Sequence, residues 1–572
     1  MKGSLAAYLR ERGLGSDGTP AAIVGGASFA YVFGTVLVFL LAVEAVSGLA
    51  LAAFYAPSST DAWASVAYVQ DQAALGWLLR GVHFHAASAI AIVAGIHLVQ
   101  TALYGAYKKP RELVWWLGIV LMMLILGWAV TGYVLRWDQA GYWANQVEVG
   151  IAAATPVLGG AIKRLALGGN DYGNLTLTRF YMLHVALLPA LVTGVVIVHV
   201  VLARRHGITP VRARTSTPWW PNQVLLDVTA MAIVFAVLLA FVVSQQGAGL
   251  AAPADPSQAY DARPLWYFRW LFALRELAGS FEKLAALAAP AVVAGALVAL
   301  PLVDRGPSRN PRRRLLYLGA LAGLLAVIGG LTVASLVVDA RDDELVKREA
   351  AAGKRAALAR KLARENGVPA SGGVDVFLTA PMARGRALYA AKCKNCHDPD
   401  SMERKGPMIT PGHGNRAWLR AFIKNPSGNA FWGLTKLAKT EAAMKSFQDM
   451  PQRDLDDIVE LIYSESGASD VDEAKRKRGM AVFETACSDC HSREEGAPGS
   501  SGPGLAGVGS REYFRSFISN PKSALHMGHE PDHSQMPRFD RELTIADRDA
   551  LAEFLVWLRS ATPPDLEALD PY

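Results

Sequence analysis

The sequence predicts an all-α protein, a polytopic membrane bundle of seven or eight helices followed by two small all-α domains. Three observations lead to this class. Seven apolar runs occupy the first 338 residues, charged residues become denser after that point, and the remaining residues contain a repeat. The chain is 52% apolar, too much for a disordered protein, and its 4 cysteines are too few for a disulfide scaffold.

Each apolar run is long enough to cross a hydrocarbon core of roughly 30 Å, which requires about 20 helical residues. We name the runs A to G, and they lie near residues 28–54, 75–104, 113–136, 179–203, 222–245, 284–302 and 315–338. Run F is the shortest. We expect Pro290 to break it, because proline lacks a backbone N–H.

The charge distribution separates a membrane half from a water-soluble half. Residues 1–338 carry 24 Lys and Arg against 15 Asp and Glu, whereas residues 339–572 carry 33 against 35. Basic residues are concentrated in the amino-terminal segment 1–27 and in the connections on its side of the membrane. The positive-inside rule therefore predicts a cytoplasmic amino terminus and periplasmic carboxyl-terminal domains in a bacterial inner membrane. The basic surplus lies in short loops between lipid-facing runs, so membrane lipid is an expected partner and nucleic acid is not.

A charged linker and a repeat follow the last apolar run. Residues 339–375 alternate charges with alanine, which predicts a solvated helical linker. The pattern Cys-x-x-Cys-His then occurs twice, and Gly-Pro, Asn-Pro and Met-Pro pairs recur behind each copy. The sequence therefore predicts two copies of one small helical domain, at residues 376–466 and 467–572.

Each Cys-x-x-Cys-His copy is typical of covalent haem attachment. Two thiols at this spacing reach the two haem vinyl groups, and the adjacent imidazole supplies one axial ligand to the iron. The residues are Cys393, Cys396 and His397 in the first copy and Cys487, Cys490 and His491 in the second. We therefore predict two c-type cytochrome domains. A zinc site is disfavoured, because the two cysteine pairs are too far apart in sequence.

A methionine sulfur is expected to be the other axial ligand of each c-type haem. Met450 and Met536 precede the last helix of their copies, and Met444 and Met527 are alternatives. The remaining histidines of this region are expected to be exposed in loops, although one of them replacing a methionine stays open; they are His413, His526, His529 and His533. Since haem attachment uses all 4 cysteines, this chain has none to hold an iron–sulfur cluster of the Rieske type.

Four histidines in the apolar runs form two pairs. His83 and His97 lie on run B, and His184 and His199 lie on run D. Fourteen or fifteen residues are close to four helical turns, so the members of a run share a face about 21 Å apart. Runs B and D have the same direction, so His83 should meet His184 near the outer side and His97 should meet His199 near the cytoplasm. Two stacked haems with two histidine ligands each are the predicted result.

Glycines at the same spacing support the haem prediction, because a flat macrocycle between helices needs neighbours without side chains. They are Gly34 and Gly48 on run A and Gly118 and Gly132 on run C. Arg80 and Arg179 precede the outer histidines and are expected to pair with haem propionates or to extend to the membrane interface. His85 should face elsewhere on its helix.

These residues resemble the cytochrome b family of the quinol-oxidising bc and bf complexes. The resemblance covers about residues 25–335 and includes the segments TGYVLRWDQAGYWA, KKPREL and LTRFY, which are similar to cytochrome b6. Residues 28–215 thus correspond to a dihaem four-helix bundle. Residues 216–338, which contain WWPNQ, resemble subunit IV of the bf complex, here continuous with the bundle.

The resemblance implies two quinone pockets. The outer, quinol-oxidising pocket of the family carries Pro-Glu-Trp-Tyr, whose Glu accepts a proton, but this chain has Leu265 between Pro264 and the Trp266-Tyr267 pair. Either a neighbouring carboxylate substitutes or outer quinol oxidation is altered or absent. The candidate carboxylates are Glu148, Asp261 and Glu276. Arg204, beyond His199, matches a basic position of the inner, quinone-reducing pocket.

Two further departures from the family lie on run A. Val32 occupies the position where the bf form attaches an additional haem through cysteine, so that covalent haem is expected to be missing. Glu44 stands where the family usually has Gln. An ionisable group at membrane depth is costly, which makes Glu44 a functional candidate.

The expected function is that of a transmembrane electron-transfer subunit of a quinol oxidoreductase with proton translocation. It would hold two non-covalent b haems and two covalent c haems and use menaquinone or ubiquinone. Its partners would be a separate Rieske protein, a periplasmic electron acceptor and, from the resemblance, a second copy of the chain. A Rieske-independent quinone module without bifurcation is the alternative, and a haem-bearing scaffold or redox sensor is a third.

Overall fold

A computed structural model describes residues 22–210, 216–440, 443–528 and 536–568. Most of the predicted cytoplasmic segment 1–27 therefore lies outside the described residues. The chain divides into two compact units, Met1–Val374 and Asp375–Tyr572.

The described part of the first unit contains seven helical segments long and apolar enough to cross a membrane, which confirms the seven predicted runs. The helices that form them are α1 (Phe33–Ala52), α3 (Gly76–Leu103), α4 (Glu112–Val134), α7 (Asn174–Met182) continued by α8 (Leu188–His206), α9 (Val224–Ser244), α11 (Glu282–Val303) and α12 (Leu315–Arg341). Side chains such as Leu49 and Leu316 are more than 70% exposed and provide the apolar surface that lipid requires.

Shorter elements complete the first unit. The connections contain α2 (Ala62–Asp71), α5 (Gln139–Ala153), α6 (Gly159–Leu167) and α10 (Arg269–Ala278), and α13 (Asp343–Asn366) follows the last membrane helix. The strands β1 (Ala22–Val24) and β2 (Ser216–Pro218) pair antiparallel, with Ile23 opposite Thr217. This pairing joins the residues before α1 to those before α9.

The expected break at Pro290 is wrong. Helix α11 continues through both Pro290 and Pro301. A proline removes one helical hydrogen bond, but the rest of the helix keeps its backbone paired within the segment, as a bilayer requires. The membrane-length segment begins earlier than run F, at Trp266, because it includes α10 and the short turns beside it.

The core of the first unit lies where α1, α3 and α9 meet. Its buried residues include Leu40 on α1, Ala86 and Ile90 on α3, and Val242 on α9. Gly81 of α3 faces Val242 so closely that an added Cβ would lie 2.5 Å from its Cγ1. Small residues allow such an approach, and in a bilayer this packing replaces water exclusion as the source of helix association.

A buried ionic cluster joins the α3–α4 connection to the α11–α12 connection. Asp304 accepts hydrogen bonds from Lys108 at 2.5 Å, from the Nε of Arg314 at 2.8 Å and from the hydroxyl of Tyr107 at 2.5 Å. Burial acts to raise the pKa of Asp304, but these donors outweigh it and hold the pKa below its ordinary value. The charges compensate one another, and the cluster fixes the cytochrome-b6-like segment to the segment that follows it.

The charged segment after α12 is helical, as predicted, but it is not a freely solvated linker. Helix α13 buries Leu345 and Ala359. The Nε of Arg360 donates to Asp71 of α2 at 2.8 Å, and the Nε of Arg348 donates to Asp261 at 2.7 Å. Its charges are partly complementary to acidic groups of the first unit, which no local pattern in the helix could reveal.

The second unit consists of two groups of helices with the same order in each repeat. The first repeat contains α14 (Pro381–Lys392), α15 (Lys394–His397), α16 (Arg416–Lys424) and α17 (Gln452–Glu465). The second contains α18 (Glu473–Ala486), α19 (Arg511–Ser519) and α20 (Ile545–Leu558), and the short α21 (Pro563–Ala568) follows. Asn415 and Ser510 cap α16 and α19 by accepting from backbone N–H groups three residues on.

Candidate haem and quinone sites

His83 and His184 face each other between α3 and the α7–α8 segment. Their ring centroids are 6.2 Å apart and the rings are nearly perpendicular. His184 lies in a π-helical turn, Leu183–Leu187, and its carbonyl accepts a hydrogen bond from the indole of Trp128 at 2.8 Å. Such turns are frequent at functional sites because they redirect side chains locally. The spacing leaves room for one metal atom between the two rings.

Both outer histidines are held through their Nδ1 atoms. The Nδ1 of His83 lies 2.8 Å from the carboxyl of Glu44 and 3.0 Å from the hydroxyl of Ser47, both on α1. The Nδ1 of His184 lies 3.1 Å from the hydroxyl of Thr131 and 3.2 Å from the carbonyl of Trp128. An iron-ligating imidazole keeps its proton on the nitrogen that faces such a partner. The free Nε2 atoms therefore fit axial ligation of a haem.

The inner pair is close enough for His97 and His199 to interact electrostatically. His97 lies on α3 together with His83. His199 lies on α8, which follows directly from the turn that contains His184, so the four imidazoles lie in one bundle. The Nδ1 of His97 is buried without a hydrogen-bond partner in the described protein.

Each predicted glycine lies against a different histidine. A Cβ added to Gly48 would lie 2.9 Å from the Cε1 of His83, and one added to Gly132 would lie 2.5 Å from the Cε1 of His184. The corresponding distances are 3.6 Å from Gly34 to His97 and 3.4 Å from Gly118 to His199. The outer two glycines are thus required by close approach to an imidazole as well as by any macrocycle.

The predicted arginines have protein partners in this structure. Arg80 is buried and donates to Gln70 at 2.6 Å and to the carbonyls of Ala248 and Gly249 at 2.7 Å each. Arg179 donates to the carbonyl of Leu175 at 3.1 Å. Arg80 therefore ties α3 to the segment after α9, and pairing of either arginine with a propionate stays a prediction. His85 lies 3.0 Å from the carbonyl of Gly247, away from His83 as expected.

The histidines of the two Cys-x-x-Cys-His motifs are also held through their Nδ1 atoms, as the outer pair is. The Nδ1 of His397 bonds to the carbonyl of Pro407 at 2.8 Å, and that of His491 bonds to the carbonyl of Pro503 at 2.9 Å. Burial lowers the pKa of both imidazoles, which keeps them neutral and able to bind iron. The repeated Gly-Pro pairs thereby acquire a role, because their prolines orient the histidines.

The expectation that the other histidines are exposed is wrong for His526. It is 2% exposed, its Nε2 lies 3.0 Å from the hydroxyl of Ser516, and Tyr513 and Phe517 surround its ring. Phe431 occupies the equivalent place in the first repeat, between Trp418 and Phe422. His526 is thus an aromatic core residue, and burial lowers its pKa to about 4.

His413 is also not a freely exposed loop residue. Its Nδ1 is buried and its ring lies edge-on to Trp418. Burial lowers its pKa to about 4. His529 and His533 lie outside the described residues.

Comparison with known proteins identifies the family of the first bundle. A family described as cytochrome b/b6/petB matches residues 21–207. Cytochrome b6 of Rippkaea orientalis is 38% identical to this chain over 179 residues, which are 31% of this chain and 81% of that protein. Cytochrome b6 of Gracilaria tenuistipitata is also 38% identical over 179 residues, which are 31% of this chain and 83% of that protein. Cytochrome b6 of Crocosphaera subtropica is 37% identical over 179 residues, which are 31% of this chain and 81% of that protein.

The chain belongs to the cytochrome b/b6 family.

The second unit matches two haem-protein families. One described as cytochrome c matches residues 476–559, and one described as cytochrome C oxidase, cbb3-type, subunit III, matches residues 380–462. A solved chain titled hyperthermophilic respiratory Complex III is 25% identical, with a TM-score of 0.49 over 55% of this chain and 86% of that chain. Cytochrome b and cytochrome c domains imply haem b and haem c, so this protein is a membrane electron-transfer cytochrome subunit.

Beside the outer histidine pair of the cytochrome b part lies a set of polar aromatic and acidic groups. Tyr267 interacts electrostatically with Glu148, Glu44 and Tyr133. Burial raises the pKa of Glu148 to about 8. Asp261 is exposed and paired with Arg348, and Glu276 is exposed. Of the three candidate carboxylates, Glu148 is half-buried whereas the other two are exposed, and it interacts electrostatically with Tyr267.

The other members of the outer motif lie just before helix α10. Trp266 and Tyr267 form a short 3-10 turn after Pro264 and Leu265. Trp266 is 46% exposed, and its indole nitrogen lies 3.4 Å from the hydroxyl of Ser88.

Near the inner pair, the structure adds a carboxylate to Arg204. The guanidinium of Arg204 stacks over Trp219 at 4.9 Å and interacts with Asp227. Asp227 is 4% exposed and accepts hydrogen bonds from Gln223 at 2.9 Å and Thr35 at 3.4 Å. Sequence reasoning missed Asp227, although an Asp inside an otherwise apolar run was a usable signal.

Replacing Gly132 with Ala is expected to lower the content of haem b, because the added Cβ would displace His184. The matched control is Gly127→Ala on the same helix, where an added Cβ meets nothing within 4 Å. A pyridine haemochrome assay should give two b and two c haems in the parent and the control, and fewer b haems in Gly132→Ala. Equal b content in all three would contradict haem binding by His184.

Proposed function

We propose that this protein is the quinol-oxidising electron-transfer subunit of a Rieske/cytochrome b complex. One observation supports the proposal above all others. Two histidine pairs are stacked in one helical bundle, and a polar group set lies beside each pair, with Glu148 and Tyr267 at the outer one and Arg204 and Asp227 at the inner one. Such an arrangement is suited to connecting two quinone pockets across a membrane.

When bound, the haems supply one-electron carriers, and the protein contributes orientation, charge and proton acceptors. The outer histidines are held by α1 and α4, so their rings cannot turn away from the bundle axis. Residues 216–338, whose resemblance to subunit IV motivates the assignment, supply Tyr267 to the outer pocket.

Glu148 takes one of the two quinol protons in place of the missing family glutamate. A leucine side chain at 265 has no proton-accepting atom, whereas the carboxyl of Glu148 lies near the Tyr267 hydroxyl. Its raised pKa, about 8, is close to working pH, where a general base is most effective. Tyr267 and Trp266 position the quinol head group.

Glu44 acts on the outer haem through His83. If the Nε2 of His83 bound a haem iron, its Nδ1 would carry the proton and Glu44 would accept the 2.8 Å hydrogen bond. His184 instead has the neutral partners Thr131 and Trp128. A carboxylate at this position would increase the basicity of His83 and would favour the oxidised state of a bound haem.

The inner pocket and the partners follow from the same proposal. Arg204 would bind a quinone oxygen, and Asp227 would deliver a proton from the cytoplasmic side. A separate Rieske protein receives the first quinol electron, because the 4 cysteines of this chain belong to the haem c motifs. The second unit passes electrons to a periplasmic acceptor. We place the protein in a bacterial inner membrane as a homodimer, with menaquinone or ubiquinone as its substrate. No covalent haem is expected at Val32.

The test of the proposed function is purification of the complex from its membrane followed by quinol addition. We expect a Rieske-type EPR signal to co-purify and quinol to reduce the b haems in a way that an outer-pocket inhibitor blocks. If the Rieske signal and the inhibitor sensitivity are both absent, the non-bifurcating quinone module favoured by Leu265 replaces the proposal.

Glu148→Gln is expected to lower quinol oxidation by at least about tenfold, at the low end of the effect of a general base. A base works only when ionised, so the parent rate should rise with pH through about 8, and the Glu148→Gln variant should lack that rise. The control is Glu282→Gln, which removes an exposed carboxyl paired with Arg275. Steady-state rates between about pH 6 and 10, a range that brackets this pKa, measure both. An unchanged pH profile in Glu148→Gln would exclude Glu148 as the base.

Glu44→Gln is expected to raise the midpoint potential of the outer b haem and leave the inner one unchanged. Two unit charges about 7 Å apart interact by roughly 2 kcal/mol at an effective dielectric constant of about 20. Ser47→Ala keeps the charge and removes only a neutral hydrogen bond, so its shift should be smaller. Redox titration of the two b haems distinguishes these results, and equal shifts of both haems would contradict a local effect on His83.

A further inference from the structure

Helix contacts in the second unit cross between the two sequence repeats. Helix α14 of the first repeat packs on α20 of the second, and α17 of the first repeat packs on α18 of the second. In the described part of this unit, neither α14 with α17 nor α18 with α20 forms an extended contact. The helix before each Cys-x-x-Cys-His motif thus packs on the last helix of the other repeat.

Equivalent glycines mark the two crossings. A Cβ added to Gly385 of α14 would lie 2.8 Å from the Cβ of Phe554 on α20. A Cβ added to Gly479 of α18 would lie 2.9 Å from the Cβ of Leu461 on α17. Both glycines lie eight residues before the first cysteine of their motif. The crossings are therefore tight and occupy the same place in the two halves of the unit.

Ion pairs reinforce each crossing. Arg384 of α14 donates to Asp547 of α20 at 2.8 Å. Arg478 of α18 donates to both carboxyl oxygens of Asp457 on α17 at 2.7 Å. These two arginines are again equivalent in the repeats.

One ion pair is specific to the crossed arrangement. Arg493, two residues after His491, donates to Glu465 at the end of α17 at 2.9 Å, and the side chains are only 20% and 15% exposed. At the equivalent places the other half has Pro399, two residues after His397, and Leu558 at the end of α20. Packing within each repeat would set Glu465 against Pro399 and Arg493 against Leu558, leaving both charges without this partner.

The candidate axial methionines follow the crossed helices. Met536 of the second repeat packs on the same core cluster as Cys393, together with Tyr389 and Ile409 of the first repeat. Met450 of the first repeat packs on the same cluster as Cys487, with Val482 and Leu505 of the second. A cavity beside Met450 is also lined by Val482, Thr485 and Ala486, immediately before Cys487.

We propose that each c-type haem is held by both repeats. The haem attached to Cys393 and Cys396 has His397 and Met536 as axial ligands, and the haem attached to Cys487 and Cys490 has His491 and Met450. This pairing replaces the sequence-based expectation that each methionine serves the motif of its own repeat. The two haem domains are interlocked, and each needs the whole second unit for a complete ligand set.

The proposal is tested in the full chain with two single-haem backgrounds, Cys393→Ala with Cys396→Ala and Cys487→Ala with Cys490→Ala. Met450→Leu and Met536→Leu are introduced into each background. The readout is the charge-transfer absorption of a methionine-ligated ferric haem, which haems with two histidine ligands do not give. Met444→Leu and Met527→Leu are the matched controls.

In the chain that retains only the haem at Cys393 and Cys396, we expect Met536→Leu to abolish the band and Met450→Leu to leave it. In the opposite background, Met450→Leu should abolish it and Met536→Leu should leave it. The reverse pattern would establish ligation within each repeat and overturn the proposal. Retention of the band in both leucine variants, or its loss in a control, would overturn it as well.

A second measurement applies if the cysteine variants do not accumulate. Glu465→Arg and Arg493→Glu are each expected to lower the melting temperature of the haem c unit in the otherwise unchanged chain. Combining them restores the opposite charges and should recover most of the loss. Strictly additive losses would show that the two residues do not meet and would contradict the crossed arrangement.

Discussion

A metal-ligating imidazole is commonly oriented through its second ring nitrogen, and four of the candidate haem histidines in this protein are held in this way. The Nδ1 atoms of His83, His184, His397 and His491 all have polar partners. The partner groups come from other helices or from a turn behind the motif. A ring held in this way has one tautomer and one direction, so iron sites can be prepared by the fold itself. Gly48 and Gly132 leave space for the imidazoles of His83 and His184, because an added Cβ would contact these rings.

Several buried polar groups of the membrane unit have hydrogen-bonding partners of complementary charge or polarity. Asp304 has three donors, Arg80 donates to three oxygens, and Asp227 accepts from two side chains. Each arrangement connects segments that are far apart in sequence. Glu44 differs, because one of its oxygens contacts His83 and the other is buried without a partner in the described protein. An incompletely compensated carboxyl beside a candidate haem ligand is more readily explained by function than by stability.

The differences between the sequence-based expectations and the structure have a common origin. Local reasoning predicts that Pro290 ends a helix, but the helix continues because the bilayer leaves its backbone no other partners. His526 is polar and lies in a loop, yet the fold uses its ring where the other repeat uses Phe431. The charges of α13 indicate solvent, but acidic groups distant in sequence neutralise some of them.

What the sequence determined by itself are features that depend on short spacings and on composition. Hydropathy located seven spans, Cys-x-x-Cys-His located the haem c motifs, and a repeat of about four turns indicated the stacked histidines. Only the tertiary structure showed which groups contact the outer and the haem c histidines and which helices of the two repeats pack on each other. The two repeats have nearly equivalent helices, so local patterns allow either pairing. Contacts distant in sequence, such as Arg493 with Glu465, distinguish them, because an ion pair stabilises only the arrangement in which both charges meet.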